Sequence, residues 1–253
     1  MTSFLNALRA EHIKSRRSFA AWLAGAGTGA NLLMFWVLHL ADTRWVHAQD
    51  NPWRGWVTGH YQGIAFMMLP LFVIILTSLV AFQEHRRDMW MQLLALPTAR
   101  SALFFSKFLW MYGLFVAAHL AFIVGMLLTG ALTGLLLPAT GLLGHWPAPG
   151  QVVLLASYTM LSVLGLAALH FWLSLVFRHF IVPLTIGILG FVLVQLLGPA
   201  SSLARWLPYG PPVQFMPAYE SGIVWQWQPV VCSLAYALVF GVVGRWAFLR
   251  MRP

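Results

Sequence analysis

Apolar residues fall into six long runs separated by polar connections: 19–40, 62–82, 107–128, 152–176, 181–197 and 229–248. A helix crosses the roughly 30 Å hydrocarbon core with about 20 residues, and spans range from about 17 to 25. Each run therefore has a spanning length. None of the six carboxylates lies in a run. Glu11 is in the N-terminal segment, and Asp42, Asp50, Glu84, Asp88 and Glu220 are in connections. The pattern predicts an all-α membrane protein of six transmembrane helices, forming one membrane domain over residues 1–253.

The segment before the first run, 2–17, predicts a short helix with Ser3 as its N-cap. Phe4, Leu5, Leu8 and His12 fall along one stripe, with Asn6, Arg9 and Lys14 elsewhere and Ile13 off the stripe. An amphipathic basic helix of this kind suits the inner membrane surface; an ordinary cytoplasmic tail is the other reading.

The connections are informative in their own right. The one after the first run holds Trp45, Trp53 and Trp56, residues that favour the headgroup level with a wet N–H. Pro70 is expected to bend the second span or leave a carbonyl free. Phe177-Arg178-His179-Phe180 is so short a turn that the fourth and fifth spans must be antiparallel neighbours. The connection 198–228 carries Pro199, Pro208, Pro211, Pro212 and Pro217. One or two short helices dipping into the outer interface are expected there, as a re-entrant segment before the sixth span.

Composition sharpens the class. The chain is 60% hydrophobic and 8% charged, whereas soluble domains carry about 25% charged residues. The spans leave no room for a separate soluble catalytic domain. The first run exceeds the roughly 7–15-residue core of a cleaved leader and is expected to be retained. The formal charge of +9 is explained by topology rather than by a nucleic-acid partner. With both termini cytoplasmic, Arg9, Lys14, Arg16, Arg17, Arg86, Arg87, Arg100, Lys107, Arg178, Arg245, Arg250 and Arg252 lie inside. Only Arg44, Arg54 and Arg205 lie outside, as the positive-inside rule requires. Cys232 is the single cysteine, so it forms no intramolecular disulfide and reads as a packing residue.

Candidate chemistry is sparse. There is no phosphate loop of the G-x-x-x-x-G-K-[ST] type, no G-x-S-x-G, no H-E-x-x-H and no pair of intramembrane aspartates. The chain is not expected to be an enzyme, and energy for any work must come from a partner. His39, His119 and His170 lie in or near spans. A haem held between two helices needs facing histidines at similar depth. His119 falls roughly 18 Å from the inner edge and His170 roughly 9 Å at 1.5 Å per residue. Buried hydrogen-bonding histidines are the better expectation, with a haem-binding electron carrier as a minor alternative and a role along a substrate path as another.

The densest charge cluster is the cytoplasmic connection between the second and third spans, Glu84 to Lys107. Met89, Trp90, Leu93 and Leu94 would share one face of a helix. Pro97 would end it, and Thr98 or Ser101 would cap the next. Such a helix either rests in the lipid interface or plugs its apolar face into a cytoplasmic partner and passes force to the spans.

This stretch resembles the first cytoplasmic loop of ABC exporter permeases of the type-2 superfamily. The pattern of a glutamate, Leu93-Leu94-x-x-Pro97, Arg100 and Lys107 is similar to the bacteriocin-immunity and multidrug-export branch. The layout agrees: an N-terminal amphipathic elbow, six spans, a loop after the second and a re-entrant segment before the sixth. The resemblance implies a permease subunit in the bacterial cytoplasmic (inner) membrane, exporting an apolar or amphipathic peptide, drug or lipid. It implies a separate ABC ATPase subunit that binds ATP and Mg, and a second permease copy or a homologous permease. Glu84, Arg87, Trp90, Leu93, Leu94 and Pro97 would form the coupling surface, with Leu5 and Leu8 of the elbow as a further contact. A non-transporting anchor or signalling subunit of an ATPase complex remains the alternative.

Overall fold

The computed structural model describes residues 2–15, 18–42, 50–63, 68–86, 98–147, 149–177, 179–198, 201–214 and 227–250. Among them are α1 (Thr2–Ser15), α2 (Phe19–Ala41), α3 (Pro52–Gly63), α4 (Leu69–Arg86), α5 (Arg100–Leu136), α6 (Pro149–Val176), α7 (Ile181–Leu197), α8 (Ser202–Trp206) and α9 (Trp227–Leu249). The described residues contain no strand. Four helices, α2, α5, α6 and α9, are long and apolar enough to cross a membrane; α4 and α7 contribute shorter apolar stretches.

Several boundaries depart from the apolar runs. The third run, expected at 107–128, lies inside a helix of 37 residues, about 55 Å long at 1.5 Å per residue. Hydropathy marks only its lipid-compatible middle. The second run, expected at 62–82, is shared between α3 and α4. Pro70 is the second residue of α4, directly after the π-helical Met68, and Pro183 is the third of α7, in a first turn where a missing N–H leaves no bond unmade. The caps differ too. Because α1 starts at Thr2, Ser3 lies within the helix. Ala99 precedes α5 without a side-chain cap, so neither Thr98 nor Ser101 has that role. Ser18 does cap α2, its Oγ accepting from the Ala21 N–H at 3.3 Å.

Packing fixes the relative directions of the helices. Leu32 meets Gly125, and the Trp36 Nε1–H donates to Thr133 Oγ1 at 2.9 Å, so α2 and α5 run parallel. Phe104 meets Phe171, and the Tyr112 hydroxyl donates to the Met160 carbonyl at 2.7 Å, so α5 and α6 run antiparallel. Gly165 meets Ser233 and Trp172 stacks on Phe240, so α6 and α9 run parallel. Phe82 meets Phe180 and Ile74 meets Gly187, so α4 and α7 run antiparallel. With the short turn from α6 to α7, direction alternates through α2, α4, α5, α6, α7 and α9.

The closest helix contact is between α6 and α9. A Cβ at Gly165 would come within 2.5 Å of the Ser233 carbonyl oxygen, and the Gly165 N–H donates to Ser233 Oγ at 2.9 Å. Only a glycine lets the two backbones approach this far, the usual device where lipid supplies no hydrophobic drive between helices.

Trp53 and Trp56 are buried rather than wet. The Trp53 N–H donates to the Leu142 carbonyl at 2.8 Å, and the Trp56 N–H to the Met126 carbonyl at 2.9 Å. They pin α3 to α5 and to the two 3-10 turns beyond it, Pro138–Thr140 and Leu142–Gly144. Gly141 joins those turns at φ 69°, a left-handed conformation that favours glycine. Trp45 lies outside the described residues. The segment 201–214 turns back onto the bundle: the ring of Tyr209 lies against Gly190 in α7, and the Tyr236 hydroxyl of α9 donates to the Trp206 carbonyl.

Candidate functional site

The expected coupling surface falls largely outside the described residues: Arg87, Trp90, Leu93, Leu94 and Pro97 all do, and Glu84 is placed only as part of α4. What is described is the exit of that connection, the foot of α5, and it is fastened to two other elements.

Lys107 is 2% exposed and its Nζ lies 2.8 Å from Glu11 Oε1 of α1. A cation buried this deeply requires an opposite charge, and the elbow supplies it. One turn further, the Trp110 ring lies edge-on to His12, with 4.8 Å between ring centroids. Arg100 Nη1 donates to the Leu249 carbonyl at 3.1 Å, covering a carbonyl at the C-terminal end of α9, where partial negative charge accumulates. Arg245 of α9 returns the contact, donating from Nε and Nη2 to Ser101 Oγ at 3.2 and 3.1 Å. The foot of α5 is thereby tied to α1 and α9, while its own length carries it through the bundle.

The elbow meets α5 through part of the expected stripe and through a residue beside it: His12 meets Trp110, and Glu11 meets Lys107. Glu11 is buried and Ala7 packs on the core, whereas Leu5 is exposed and Leu8 half-buried. Glu11, next to the stripe, enters the interface because its charge is matched there by Lys107. Leu5 remains available at the surface.

The histidines are hydrogen-bonded within the bundle. His119 Nε2 is 3.2 Å from the Tyr61 hydroxyl, and His170 Nε2 is 3.1 Å from the Tyr209 hydroxyl. The two rings face tyrosines on different elements. His39 stacks on His60 at 4.6 Å, and each donates from Nδ1 to a backbone carbonyl of its own helix, Phe35 and Trp56 respectively. Among the described residues, no group of three or more His, Cys, Asp or Glu is arranged to hold a metal ion.

A family model described as ABC-2 family transporter protein matches residues 7–195. The chain belongs to that family. The match takes in the elbow, the connection from Glu84 to Lys107 and α5 to α7, most of the region over which the layout was recognised. No curated protein matches the chain. An ABC-2 family membrane protein is a transport component and not itself a catalyst.

Three contacts escape a reading of the ABC-2 sequence: Glu11 with Lys107, Arg100 with Leu249, and the burial of Asn31 in α2. The last had a visible signal, a carboxamide twelve residues into an apolar run. The first two join positions 96 and 149 residues apart, which local spacing does not reveal.

Proposed function

We propose that this ABC-2 protein is the membrane-spanning permease subunit of an exporter driven by a separate ATPase subunit. Six helices, α2, α4, α5, α6, α7 and α9, cross the bacterial cytoplasmic membrane with both termini inside. Two permease subunits, identical or homologous, form the path between them, and the cargo is an apolar or amphipathic peptide, drug or lipid. The alternating helix directions support six crossings. The positive-inside distribution supports the orientation.

The observation that carries the coupling mechanism is the anchoring of the foot of α5. The segment from Glu84 to Pro97 docks on the ATPase subunit. ATP-driven movement of that segment reaches Arg100 first. Through Arg100 and Ser101 it is passed to the end of α9, and through Lys107 to the elbow. Three elements move as one because separating them would leave Lys107 buried without its carboxylate and the end of α9 without its cap. ATP favours one arrangement only through contacts that differ between the two. Here those contacts are between the ATPase and the Leu93-Leu94 face.

Co-purification tests this directly. The chain, co-expressed with the proposed ABC ATPase subunit, is expected to retain that subunit on an affinity column. Leu93→Asp with Leu94→Asp is expected to lose it while the permease still inserts. Undiminished recovery of the ATPase by the double variant would overturn the coupling assignment.

A further inference from the structure

A groove of about 420 Å³ runs between α5 and α9 on the outer surface of the bundle. The two helices touch at its inner end and part beyond it. A Cβ at Gly244 would lie 3.3 Å from the Phe104 ring, whereas one at Gly241, about a turn further from the end of α9, would meet nothing within 4 Å. Phe105, Leu238 and Val242 stand exposed along the opening. No Asp, Glu or Lys is among the described residues that line it, and the charged side chain there is Arg245.

Arg245 is exposed and closes the inner end of the groove. Ser101 Oγ accepts from its Nε and Nη2 at 3.2 and 3.1 Å. That hold fixes the guanidinium by one edge. Among the described residues no carboxylate or carbonyl takes the other edge, formed by Nη1 and the second hydrogen of Nη2. Such an edge matches two oxygens of a phosphate. The neighbouring Trp246 is exposed, with the Arg250 guanidinium 3.8 Å from its ring centroid. A tryptophan and arginines at the end of a span mark the headgroup level. From Arg245 to Leu238 the groove rises about 10 Å at 1.5 Å per residue, which keeps it within one leaflet of a roughly 30 Å core.

We infer that the groove holds one anionic phospholipid of the inner leaflet, with its phosphodiester on Arg245 and an acyl chain along Phe105, Gly241 and Leu238. Charge decides the class of head. A choline or ethanolamine head brings a cation beside Arg245, and no carboxylate lines the groove to meet it. A phosphatidylglycerol head brings no cation. The head rests on the same Arg245 and Ser101 that tie α9 to the foot of α5. The lipid therefore braces that junction from outside the protein.

The site rests on the reading of α5 and α9 as membrane spans and needs no ATPase, so its failure would leave the exporter proposal standing. The full chain in detergent, titrated with dioleoylphosphatidylglycerol and read by native mass spectrometry, is expected to bind a first lipid about tenfold more tightly than dioleoylphosphatidylcholine. Arg245→Gln is expected to erase that preference. Arg250→Gln removes the same charge from the same end of α9 and is expected to keep it. Gly241→Leu is expected to weaken phosphatidylglycerol binding about tenfold by filling the place of the acyl chain. It is also expected to unfold at the native temperature, since its side chain enters open space. Equal affinity of the native chain for the two lipids, equal losses in Arg245→Gln and Arg250→Gln, or undiminished binding by Gly241→Leu would overturn the assignment. So would a lipid-free pair of chains that Gly241→Leu separates, because a second copy would then fill the groove.

Discussion

Fifteen of the 28 residues of α6 are buried, against three of the 23 of α2. Both helices are apolar and of spanning length, yet α6 is the axis of the bundle and α2 its margin. Helix α6 packs on α3, α4, α5, α7 and α9, and its glycine brings one backbone against another. Helix α2 touches α5 through Leu32 and Trp36 and turns Leu33, Val37 and Leu38 outward. The margin, not the axis, borders a cleft between α2, α4 and α5. Tight packing along α6 leaves no such space.

The sharpest way to break this contrast is at the axis. Gly165→Leu puts a branched side chain against the Ser233 carbonyl and Tyr236. It is expected to cost about 3 kcal/mol or more, beyond the usual 1–3 for overpacking, and to abolish the monodisperse peak in size-exclusion chromatography. A normal peak would mean that α6 and α9 are less closely apposed.

Next in size is the charge at the foot of α5. Glu11→Gln is expected to cost about 3–5 kcal/mol, because Lys107 stays buried without its carboxylate. Combining it with Lys107→Met is expected to recover most of that loss. Thermal unfolding of the single and double variants in detergent checks both. No recovery in the double variant would show that the pair is not the source of the cost.

The smallest effect belongs to the margin. Leu38→Ala is expected to change stability by no more than about 0.5 kcal/mol, and to leave the native mass unaltered. A larger loss, or a change in oligomeric state by light scattering, would show that another chain covers α2.

The same contrast explains what was legible in the sequence. Apolar runs are set by contact with lipid, so 181–197 coincides with α7 and 19–40 falls one residue short of α2. Where protein covers a helix, polar residues enter it unseen by hydropathy. Lys107 was therefore read as the edge of a span although α5 begins seven residues earlier. Trp53 and Trp56 look like interfacial anchors by type, but carbonyls of distant residues claim their N–H groups. The docking helix expected around Leu93-Leu94-x-x-Pro97 lies outside the described residues. The pairs Glu11–Lys107 and Arg100–Leu249 were not legible, because each depends on how two helices far apart in the chain meet in space.

Helix α5 has no proline between Arg100 and Leu136, the commonest cause of a sharp kink. It reaches about 25 Å beyond what a 30 Å hydrocarbon layer requires. On the proposed coupling, such an unjointed strut would not absorb a tilt applied at its Arg100 end. It would turn a slight rocking there into a wider sideways sweep of the turns around Leu142, on which Trp53 rests. One continuous piece of backbone would then do what otherwise needs a relay of separate parts.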